Sequence, residues 1–439
     1  MKSFILLNSP ILWEETAENE QYLSPLGLAY IATYLDKDNV QTKLLDCVKQ
    51  KLSINDALDY INRKKPNYVG INIFTQNYEI VKYFVEKLKN PCECFIGGQV
   101  VKCIYEEILL WNSKNPLNII IGEGEYIIPA IVSRTCVERP IMCAGKSKVY
   151  KVDKESAYYP EDISNLELNR SFITDEIVIN HYGEKECAIV TSRGCAFNCA
   201  FCGGAKSLNS DITIRIRDEK SVIKEIEEII RIYPNVRSIR ILDDLFLRNG
   251  QSIDMAYNIF NEFPKLKWRG MVHALSLTNA MNKIYRLRDA NCSELFMGIE
   301  SGSSRVRKYI NKLGSKDDII KVATEIMNVG IDLKGYFIYG FPQETENDFK
   351  ETYELALQLK KISDSSKGNF RTSVFQFRPY HGTRLYNEIV SSTGILKEPQ
   401  LNHAINRFAG RTQFNVAFGN YSATTDEILN EYIIKTQEI

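Results

Sequence analysis

Residues 191–204 read TSRGCAFNCAFCGG, and the three cysteines in this stretch follow the spacing C-x3-C-x2-C. Thiolates spaced this closely act together as metal ligands. A structural zinc site needs four protein ligands, usually in two pairs, and the candidates that follow the trio are unpaired: Cys292, His273, His381 and His403. Three thiolates are enough for an iron-sulfur cluster that keeps one iron open. The stretch therefore favours a cluster that can bind a small molecule, and zinc is the weaker alternative.

The bulk composition limits the classes of partner and compartment. The 439 residues include 55 Lys+Arg and 55 Asp+Glu, so the formal net charge of zero gives no general electrostatic reason to expect nucleic acid. No apolar stretch reaches the roughly 20 residues that span a bilayer, and MKSFILLNSPILWEE lacks the features of a signal peptide. Eleven scattered cysteines favour free thiols plus a metal site over a disulfide framework. We predict a cytoplasmic protein with no membrane span and no nucleic-acid partner.

Strand and helix patterns alternate through residues 1–140. Apolar strand patterns, each followed by a helix or turn signal, occur at SFILLNSP, VQTKLLDCV, NYVGINIFT, CECFIGGQV and LNIIIGEGE. Strands that are apolar throughout predict a parallel sheet covered by helices on both faces, which is a doubly wound α/β domain. Such sheets bind ligands at the carboxyl ends of their strands, where this sequence places several glycines. We expect a ligand there, and tight strand-to-helix turns are the structural alternative.

The rest of the chain divides into a linker, a second α/β region and a tail. Residues 141–186 lack the alternation and read as an irregular linker. The alternation resumes with CAIVTS and continues through VRSIRIL, LKWRGMV, SELFMGI, IDLKGYFIYG and RTSVFQF. Six strand-helix units are fewer than the eight of a closed barrel, so residues 187–390 are predicted to form a partial, open barrel. In the C-terminal segment 391–439, DEILNEYIIKTQEI predicts a final helix.

The cysteine motif, with Phe201 before its last cysteine and at the end of a first barrel strand, resembles the radical S-adenosylmethionine (SAM) superfamily. The resemblance implies a partial (β/α)6 barrel in which Cys195, Cys199 and Cys202 bind a 4Fe-4S cluster. The open iron would be chelated by SAM, and one electron would cleave SAM to methionine and a 5′-deoxyadenosyl radical. An electron donor such as flavodoxin or ferredoxin is then an expected partner. The protein itself would orient SAM and exclude water and oxygen.

Further segments follow in the order that this resemblance requires. ILDDLF ends the second barrel strand, where a carboxylate suits the SAM amino group. MGIESG ends the fourth strand, where similar enzymes contact the ribose or the methionine carboxylate, and GYFIYGFPQET resembles the strand and turn beside adenine. Each segment alone is also compatible with ordinary strand-end chemistry. The predicted SAM-binding residues are Phe201, Gly203, Asp243, Asp244, Glu300, Ser301, Ile338 and Phe341.

The first domain resembles the cobalamin-binding domain, a Rossmann-like fold, that precedes the barrel in one branch of the superfamily. SPLGLAYIATYL, FIGGQ and IGEGEY carry this resemblance. No histidine precedes His181, so the Asp-x-His-x-x-Gly motif that would supply an axial histidine to cobalt is absent. Its absence suits the methyltransferase branch, where cobalt carries a methyl group. The predicted cobalamin-binding residues are Leu26, Gly27, Thr75, Gly97, Gly98, Gln99, Gly122, Glu123, Gly124 and Glu125.

The resemblance implies methyl transfer, by way of cobalamin, to an unactivated substrate atom. One alternative is a barrel that only abstracts hydrogen, giving dehydration, epimerisation or rearrangement, beside a first domain that no longer binds cobalamin. The turn GGQVVK supports this alternative, because it departs from the Gly-Gly-Pro-type turn common in cobalamin binders. The other alternative is a non-catalytic iron-sulfur or zinc module. No general acid or base is assigned, and the substrate, expected to be a small molecule, lipid or natural-product precursor, does not follow from the scaffold.

Overall fold

A computed structural model of the protein describes residues 2–11, 22–393, 400–401, 416–417 and 419–439. The chain divides into two compact units, the first made of residues 1–176 with 211–213 and 380–382, and the second of 177–210, 214–379 and 383–439. Much of the predicted C-terminal segment, 394–399 and 402–415 included, lies outside the described residues. Within the described ranges, every helix is too short or too polar to traverse a lipid bilayer.

The first unit is a sheet of seven strands with helices between them. Its elements are β1 (Ser3–Asn8), α1 (Leu26–Lys37), β2 (Gln41–Asp46), α2 (Ile54–Lys64), β3 (Tyr68–Asn72), α3 (Tyr78–Lys87), β4 (Glu93–Gly97), α4 (Val101–Leu109), β5 (Leu117–Ile121), α5 (Ile127–Ser133), β6 (Met142–Ala144) and β7 (Ser147–Lys151). The strand order is β2-β1-β3-β4-β5-β7-β6, with every pair parallel except β6 and β7. The predicted doubly wound α/β fold is therefore confirmed.

Burial and capping explain why these segments take these forms. All five residues of β5 are buried, as the unbroken apolar pattern predicts for a central parallel strand. Helix α2 begins at a capping box in which the Ser53 hydroxyl accepts from the Asp56 amide and the Asp56 side chain accepts from Ser53. Strands β6 and β7 come from residues that the sequence assigned to the linker. Val149 and Tyr150 are buried against the sheet, so burial extends the sheet beyond the regular alternation.

The second unit is a second seven-stranded sheet with its own helices. Its elements are β8 (Val178–Ile179), β9 (Lys185–Ile189), β10 (Ser192–Arg193), β11 (Arg215–Ile216), α6 (Glu219–Ile232), β12 (Ser238–Ile241), α7 (Gly250–Asn261), β13 (Lys267–Val272), α8 (Ala274–Leu277), α9 (Ile284–Asp289), β14 (Cys292–Glu300), α10 (Ser304–Tyr309), α11 (Lys316–Asn328), β15 (Asp332–Tyr339), α12 (Glu346–Ser363), β16 (Phe370–Gln376), α13 (Arg384–Thr393), β17 (Gln400–Leu401), β18 (Val416–Ala417) and α14 (Asp426–Gln437). The order β16-β15-β14-β13-β12-β9-β8 is parallel from β16 to β9, and these six strands are the predicted partial barrel. Helix α14 is the predicted final helix.

The two faces of the second sheet differ in chemistry. Alternate residues on each strand pack with the helices in one large apolar core, which on β15 includes Leu333, Phe337 and Tyr339. The opposite face, called the inner face below, carries Glu186, Arg240, Arg269, Glu294, Phe296, Lys334, Tyr336 and Arg371. The sheet curls around this face, because Arg269 of β13 and Arg371 of β16 both bind Glu294 and both lie 3.2 Å from Nδ1 of His181.

Candidate functional site

The cysteine loop begins where the first barrel strand ends. β9 stops at Ile189, and Thr191 and Ser192 then bind the carboxylate of Asp243, which follows β12. The Thr191 amide and hydroxyl donate at 2.7 and 2.6 Å, and the Ser192 hydroxyl donates at 2.5 Å. Because this carboxylate is only 2% exposed, it fixes the start of the loop against the neighbouring strand.

The three thiols of the loop are partly or fully buried and lie near enough to influence one another's pKa. Cys199 is buried, and Cys195 and Cys202 are half-buried. Burial raises the pKa of the Cys202 thiol to about 12, with further contributions from Cys199 and Cys195. The Gly204 amide lies 3.3 Å from the Cys202 Sγ and donates to it. Backbone N–H groups directed at sulfur tune iron-sulfur clusters, so this thiol environment fits the predicted cluster.

A single metal ion is a different arrangement from a cluster. Among the residues that the structure describes, no three His, Cys, Asp or Glu side chains converge closely enough to hold one ion. Cysteines that bind separate irons of a cluster stand further apart than the ligands of one ion. The assignment of Cys195, Cys199 and Cys202 to a cluster therefore rests on their spacing in the sequence and their mutual proximity, and it stays a prediction.

Asp244 faces the cysteine loop, whereas its neighbour Asp243 is used within the fold. A Cβ atom placed on Gly204 would lie 3.5 Å from Asp244 Oδ2 and 3.6 Å from Cys202 Sγ, so this glycine separates the carboxylate from the thiol. Burial, and then the charge of Asp243, raises the pKa of Asp244. Of the two predicted SAM-binding carboxylates, Asp244 is the one available to a ligand. Gly203 is among the predicted SAM-binding residues, and Gly204 is not.

Glu300 is held in an unusual backbone conformation. Its φ of +65° lies in the left-handed region, and the pairing of β14 with β15 shifts register between Gly298 and Glu300. Its Oε1 accepts from Nζ of Lys312 at 3.2 Å. A Cβ on Gly298 would lie 2.5 Å from that oxygen, so only glycine leaves room for the ion pair. Strained residues of this kind cluster at functional sites, which agrees with the predicted role of Glu300.

Ser301 is buried and its hydroxyl serves the fold. It lies 3.0 Å from the Thr352 hydroxyl of α12 and accepts from the Ser303 amide at 3.2 Å. Its side chain is thus already engaged, and a contact of Ser301 with SAM would have to use the backbone.

An apolar cluster contains three of the other predicted SAM-binding residues. Phe201, Ile338 and Phe341 pack in one small apolar group, and the Phe201 and Phe341 ring centroids are 5.5 Å apart. Glu344 shapes the turn after β15, because its carboxylate accepts from the amides of Gly340 and Phe341 at 2.8 and 2.9 Å. Burial raises the pKa of Glu344 to about 8. This turn belongs to the segment GYFIYGFPQET, in which the sequence pattern does not distinguish Glu344.

A buried histidine also lies against the cysteine loop. The His273 ring stacks on Phe197 with centroids 3.9 Å apart, and its Nδ1 accepts from the Leu275 amide. Its Nε2 is buried and has no hydrogen-bond partner among the described residues. Burial lowers the pKa of His273 to about 2, so the ring is neutral.

In the first unit, polar side chains connect the carboxyl ends of adjacent strands. The Asn8 amide donates to Asp46 at 2.8 Å, and the Asn72 amide donates to Asn8 at 3.1 Å. These residues end β1, β2 and β3. In the strand order β2-β1-β3, the second strand lies on one side of β1 and the third strand lies on the other. Ligands of doubly wound sheets bind at such a point, where the order of the strands changes direction.

The glycines at this edge fall into two groups. A Cβ on Gly98 (φ +136°) would lie 2.3 Å from the Ile73 carbonyl oxygen, and one on Gly122 (φ +96°) would lie 2.1 Å from that of Val152. Close approach of the protein's own backbone thus explains these two, rather than the ligand approach that the sequence suggested. Gly27 is different, since nothing lies within 4 Å of its added Cβ, and Gly97 meets only the Ile120 oxygen at 3.9 Å. These two leave open space.

The remaining predicted cobalamin-binding residues vary in exposure. Thr75 is buried and its hydroxyl lies 2.9 Å from Nδ1 of His381, which belongs to the first unit although it is distant in sequence. No histidine precedes His181 in the sequence, and the chain order gives no sign that His381 joins the first unit. The other members are buried at Leu26, Gly124 and Glu125, half-buried at Glu123 and exposed at Gln99.

Comparisons with known families match each unit separately. The family model of the radical SAM superfamily matches residues 189–356, and that of the B12 binding domain matches residues 16–132. An uncharacterized methyltransferase of Pyrococcus horikoshii is 26% identical over 392 residues, which cover 85% of this chain and 80% of the relative. The anaerobic magnesium-protoporphyrin IX monomethyl ester cyclase of Rubrivivax gelatinosus is 22% identical over 76% of this chain and 61% of that protein.

Solved structures share the fold over nearly the whole chain. TsrM of Kitasatospora setae, a radical SAM methyltransferase with cobalamin and a [4Fe-4S] cluster bound, superposes with a TM-score of 0.64 at 14% identity, covering 100% of this chain and 89% of TsrM. OxsB, a cobalamin-dependent radical SAM enzyme with aqua-cobalamin and SAM bound, gives 0.59 at 12% identity. The match covers 98% of this chain and 66% of OxsB, so the chain spans just under two thirds of that protein.

Both domain families occur here in one chain, each on the unit whose fold suits it. The class is therefore that of radical SAM enzymes whose barrel follows a cobalamin-binding domain. More narrowly, this order of a B12 binding domain before a radical SAM domain resembles the cobalamin-dependent radical SAM family. The cofactors of this family are a 4Fe-4S cluster, SAM and cobalamin.

Proposed function

We propose that the protein transfers a methyl group from SAM, by way of cobalamin, to an unactivated atom of its substrate. The observation that carries this proposal is the occurrence of both cofactor domains in one chain, with the cysteine loop directly after the first barrel strand. The methyltransferase names of the Pyrococcus relative and of TsrM support it.

Each cofactor has a proposed set of residues. Cys195, Cys199 and Cys202 would hold the cluster, and Asp244 would accept from the SAM ammonium group. In the first unit, the open space beside Gly27 and Gly97 at the carboxyl edge would admit part of cobalamin. When bound, the cluster and SAM supply a hydrogen-abstracting radical, and cobalamin supplies the methyl group.

The chain's own contribution is positioning and exclusion of water. Asp243 fixes the cysteine loop to β12 through three hydrogen bonds, so the loop does not need to be ordered during the reaction. Phe201, Ile338 and Phe341 form an apolar wall, which would keep water away from a reactive radical. Lys312 holds the carboxylate of Glu300 beside the end of β14, where it would accept from hydroxyl groups.

The first experiment is anaerobic reconstitution with iron, sulfide and hydroxocobalamin, followed by iron and cobalt analysis of one desalted sample. We expect near-stoichiometric cobalt beside the cluster iron. Cys195→Ala, Cys199→Ala and Cys202→Ala should each lose the iron and the reductive cleavage of SAM. The matched control is Cys143→Ala, because Cys143 is exposed and lies in the first unit. A triple alanine variant that still cleaves SAM would overturn the assignment of the cluster ligands.

Methyl transfer is then tested with SAM whose methyl group carries deuterium. Candidate substrates should gain the labelled methyl group, with 5′-deoxyadenosine and S-adenosylhomocysteine as co-products. The appearance of 5′-deoxyadenosine without S-adenosylhomocysteine would contradict the proposal.

The alternative function is hydrogen abstraction without cobalamin. It is favoured by one observation, namely that internal backbone contacts already account for Gly98 and Gly122. Reconstituted protein that holds iron but no cobalt would select this alternative.

A further inference from the structure

The inner face of the barrel sheet carries more cationic side chains than form ion pairs with its carboxylates. Most of the charged side chains there form one closed network. Arg269 donates to Glu186 at 2.5 and 2.7 Å and to Glu294 at 2.9 Å. Arg371 donates to both oxygens of Glu294 at 2.5 and 2.8 Å. The two carboxylates are 1% and 0% exposed, so this network is satisfied within the sheet.

Two cations on the same face lie outside that network. Arg240 of β12 and Lys334 of β15 are 5% and 4% exposed, and neither has a hydrogen bond or ion pair with any residue that the structure describes. Each contacts an aromatic ring: the Arg240 guanidinium lies 5.2 Å from the centroid of Phe296, and Lys334 Nζ lies 5.5 Å from that of Tyr336. Ring contacts leave the N–H donors unused, and buried cations without an acceptor are rare.

A third carboxylate, on β15, does not serve them. Asp332 begins β15, and it accepts from the Tyr182 hydroxyl at 2.6 Å and from the Asn369 amide groups at 2.7 and 3.1 Å. Asp332 is thus held at the amino-terminal edge of the sheet by neutral partners.

From this arrangement we infer that Arg240, Lys334 and Tyr336 bind an oxyanion group, a carboxylate or a phosphate, carried by the substrate. This inference rests on the proposed function, since it places the substrate of the barrel on the inner face. Arg offers a planar fork and Lys a compact charge, a pair that suits a group with several oxygens. The Tyr336 hydroxyl, which also has no partner among the described residues, adds a neutral donor, and Phe296 and Phe375 flank its ring.

The geometry of β15 directs such a substrate toward the predicted SAM-binding residues. Lys334, Tyr336 and Ile338 alternate with residues of the outer core, so they stand in a row on the inner face. Ile338 lies four residues after Lys334, roughly 13 Å along the strand. If the oxyanion of a substrate is held at Lys334, a carbon several bonds away from that oxyanion would therefore lie toward the carboxyl ends of the strands.

The charges around Lys334 support this inference. Burial lowers the pKa of Lys334 to about 7, and the nearby cations lower it further while one carboxylate opposes them. The groups that face it are Arg371, Arg240, Arg269, Glu294 and Tyr336. A bound oxyanion would favour the charged form of Lys334, so binding should weaken as pH rises above about 7.

The test measures anion binding to the reconstituted holoprotein by calorimetry, without turnover and at constant ionic strength. The probes are inorganic phosphate and acetate, titrated into the millimolar range. We expect at least one to bind, and Arg240→Met or Lys334→Met to weaken that binding roughly 30-fold or more. The control is Lys267→Met, which also removes one cation from the sheet but at an exposed position. Iron content and circular dichroism verify that each variant is folded.

The possible outcomes distinguish a phosphate from a carboxylate. They also distinguish a failure of this inference from a failure of the proposed function. Binding of phosphate alone selects a phosphate-bearing substrate, and binding of acetate alone selects a carboxylate. Glycerol 3-phosphate and dihexanoyl phosphatidic acid, compared in the same assay, then distinguish a water-soluble phosphate from a lipid headgroup. Absence of binding by both probes, or affinity unchanged in the Arg240 and Lys334 variants, would overturn the inference. Cobalt content and methyl transfer are read in separate assays, so the proposed function can fail independently.

Discussion

Asp243 and Asp244 are adjacent carboxylates with different surroundings. Asp243 accepts three hydrogen bonds from Thr191 and Ser192, whereas Asp244 faces the cysteine loop across Gly204. Asp243→Asn replaces one acceptor oxygen by a donor, so we expect the free energy of unfolding to fall by about 2–4 kcal/mol. Asp244→Asn should change it by less than about 0.5 kcal/mol while weakening SAM binding roughly tenfold.

Urea unfolding and equilibrium SAM binding check this pair of expectations. Because the two substitutions are the same chemical change at neighbouring positions, each serves as the control for the other. Equal loss of stability in both variants would contradict the distinction between the two carboxylates.

Gly98 and Gly27 provide a similar contrast in the first unit. Gly98→Ala would place a Cβ 2.3 Å from the Ile73 carbonyl at a φ of +136°, so we expect a loss of about 2–4 kcal/mol in stability. Gly27→Ala meets nothing within 4 Å and replaces glycine in the first turn of α1, so stability should stay the same or rise by up to about 1 kcal/mol. Thermal unfolding of the two apo variants measures this difference, and a Gly98→Ala variant as stable as the parent chain would refute it.

At the scale of the element, β15 combines a stabilising face with a destabilising one. Leu333, Phe337 and Tyr339 pack in the outer core, while Lys334 is buried on the inner face with no acceptor among the described residues. Its folded pKa is about 7, against 10.5 when unperturbed. Between these values the unfolded chain holds a proton that the folded chain lacks, so this residue's penalty is full below pH 7 and declines as pH rises.

Lys334→Met should therefore stabilise the protein most at or below neutral pH. We expect a gain of about 2–4 kcal/mol at pH 7, declining by roughly 1.4 kcal/mol for each further pH unit. Urea unfolding of the variant and of the parent chain is measured across about pH 6.5 to 9. The difference between the two curves removes the contribution of groups that titrate in both proteins. Lys267→Met, which removes a lysine at an exposed position, is the control for the substitution itself. A gain independent of pH for Lys334→Met would mean that Lys334 stays charged in the folded protein.

The elements themselves follow closely from the sequence, and the contacts between distant elements do not. Unbroken apolar runs predict β3, β5 and the barrel strands because burial selects them locally. The capture of Asp243 by Thr191, the left-handed turn at Glu300 and the pairing of Thr75 with His381 join segments that lie far apart or depend on a register shift. The spacing of residues along the chain does not reveal such contacts. Only the cysteine pattern is specific by itself, and the SAM- and cobalamin-binding residues therefore stay predictions.

At the scale of the whole molecule, each unit has its own apolar core. One core contains residues of β1 to β5 and β7, and the other contains residues of β9, β12 to β16 and α14. A ligand stabilises the folded unit that binds it, by about 2.7 kcal/mol at a hundredfold excess over its Kd. We expect hydroxocobalamin to slow hydrogen exchange in β3 and β4 and to leave β14 and β15 unchanged.

Hydrogen-exchange mass spectrometry with and without hydroxocobalamin resolves peptides from both cores. Cyanide-free buffer and an equal concentration of a corrin without a central metal provide the control for nonspecific protection. Protection confined to the second unit would place cobalamin elsewhere in the chain.

The separation of the two faces of the barrel sheet also bears on how such a protein evolves. The outer face holds the strands together, while Arg240 and Lys334 on the inner face reduce stability for as long as nothing is bound there. A lineage that no longer met an anionic substrate would gain stability by replacing either residue, and selection would have little reason to preserve them. Retention of both cations among descendants would then indicate that the protein still acts on an anionic substrate, because the fold itself does not require these two side chains.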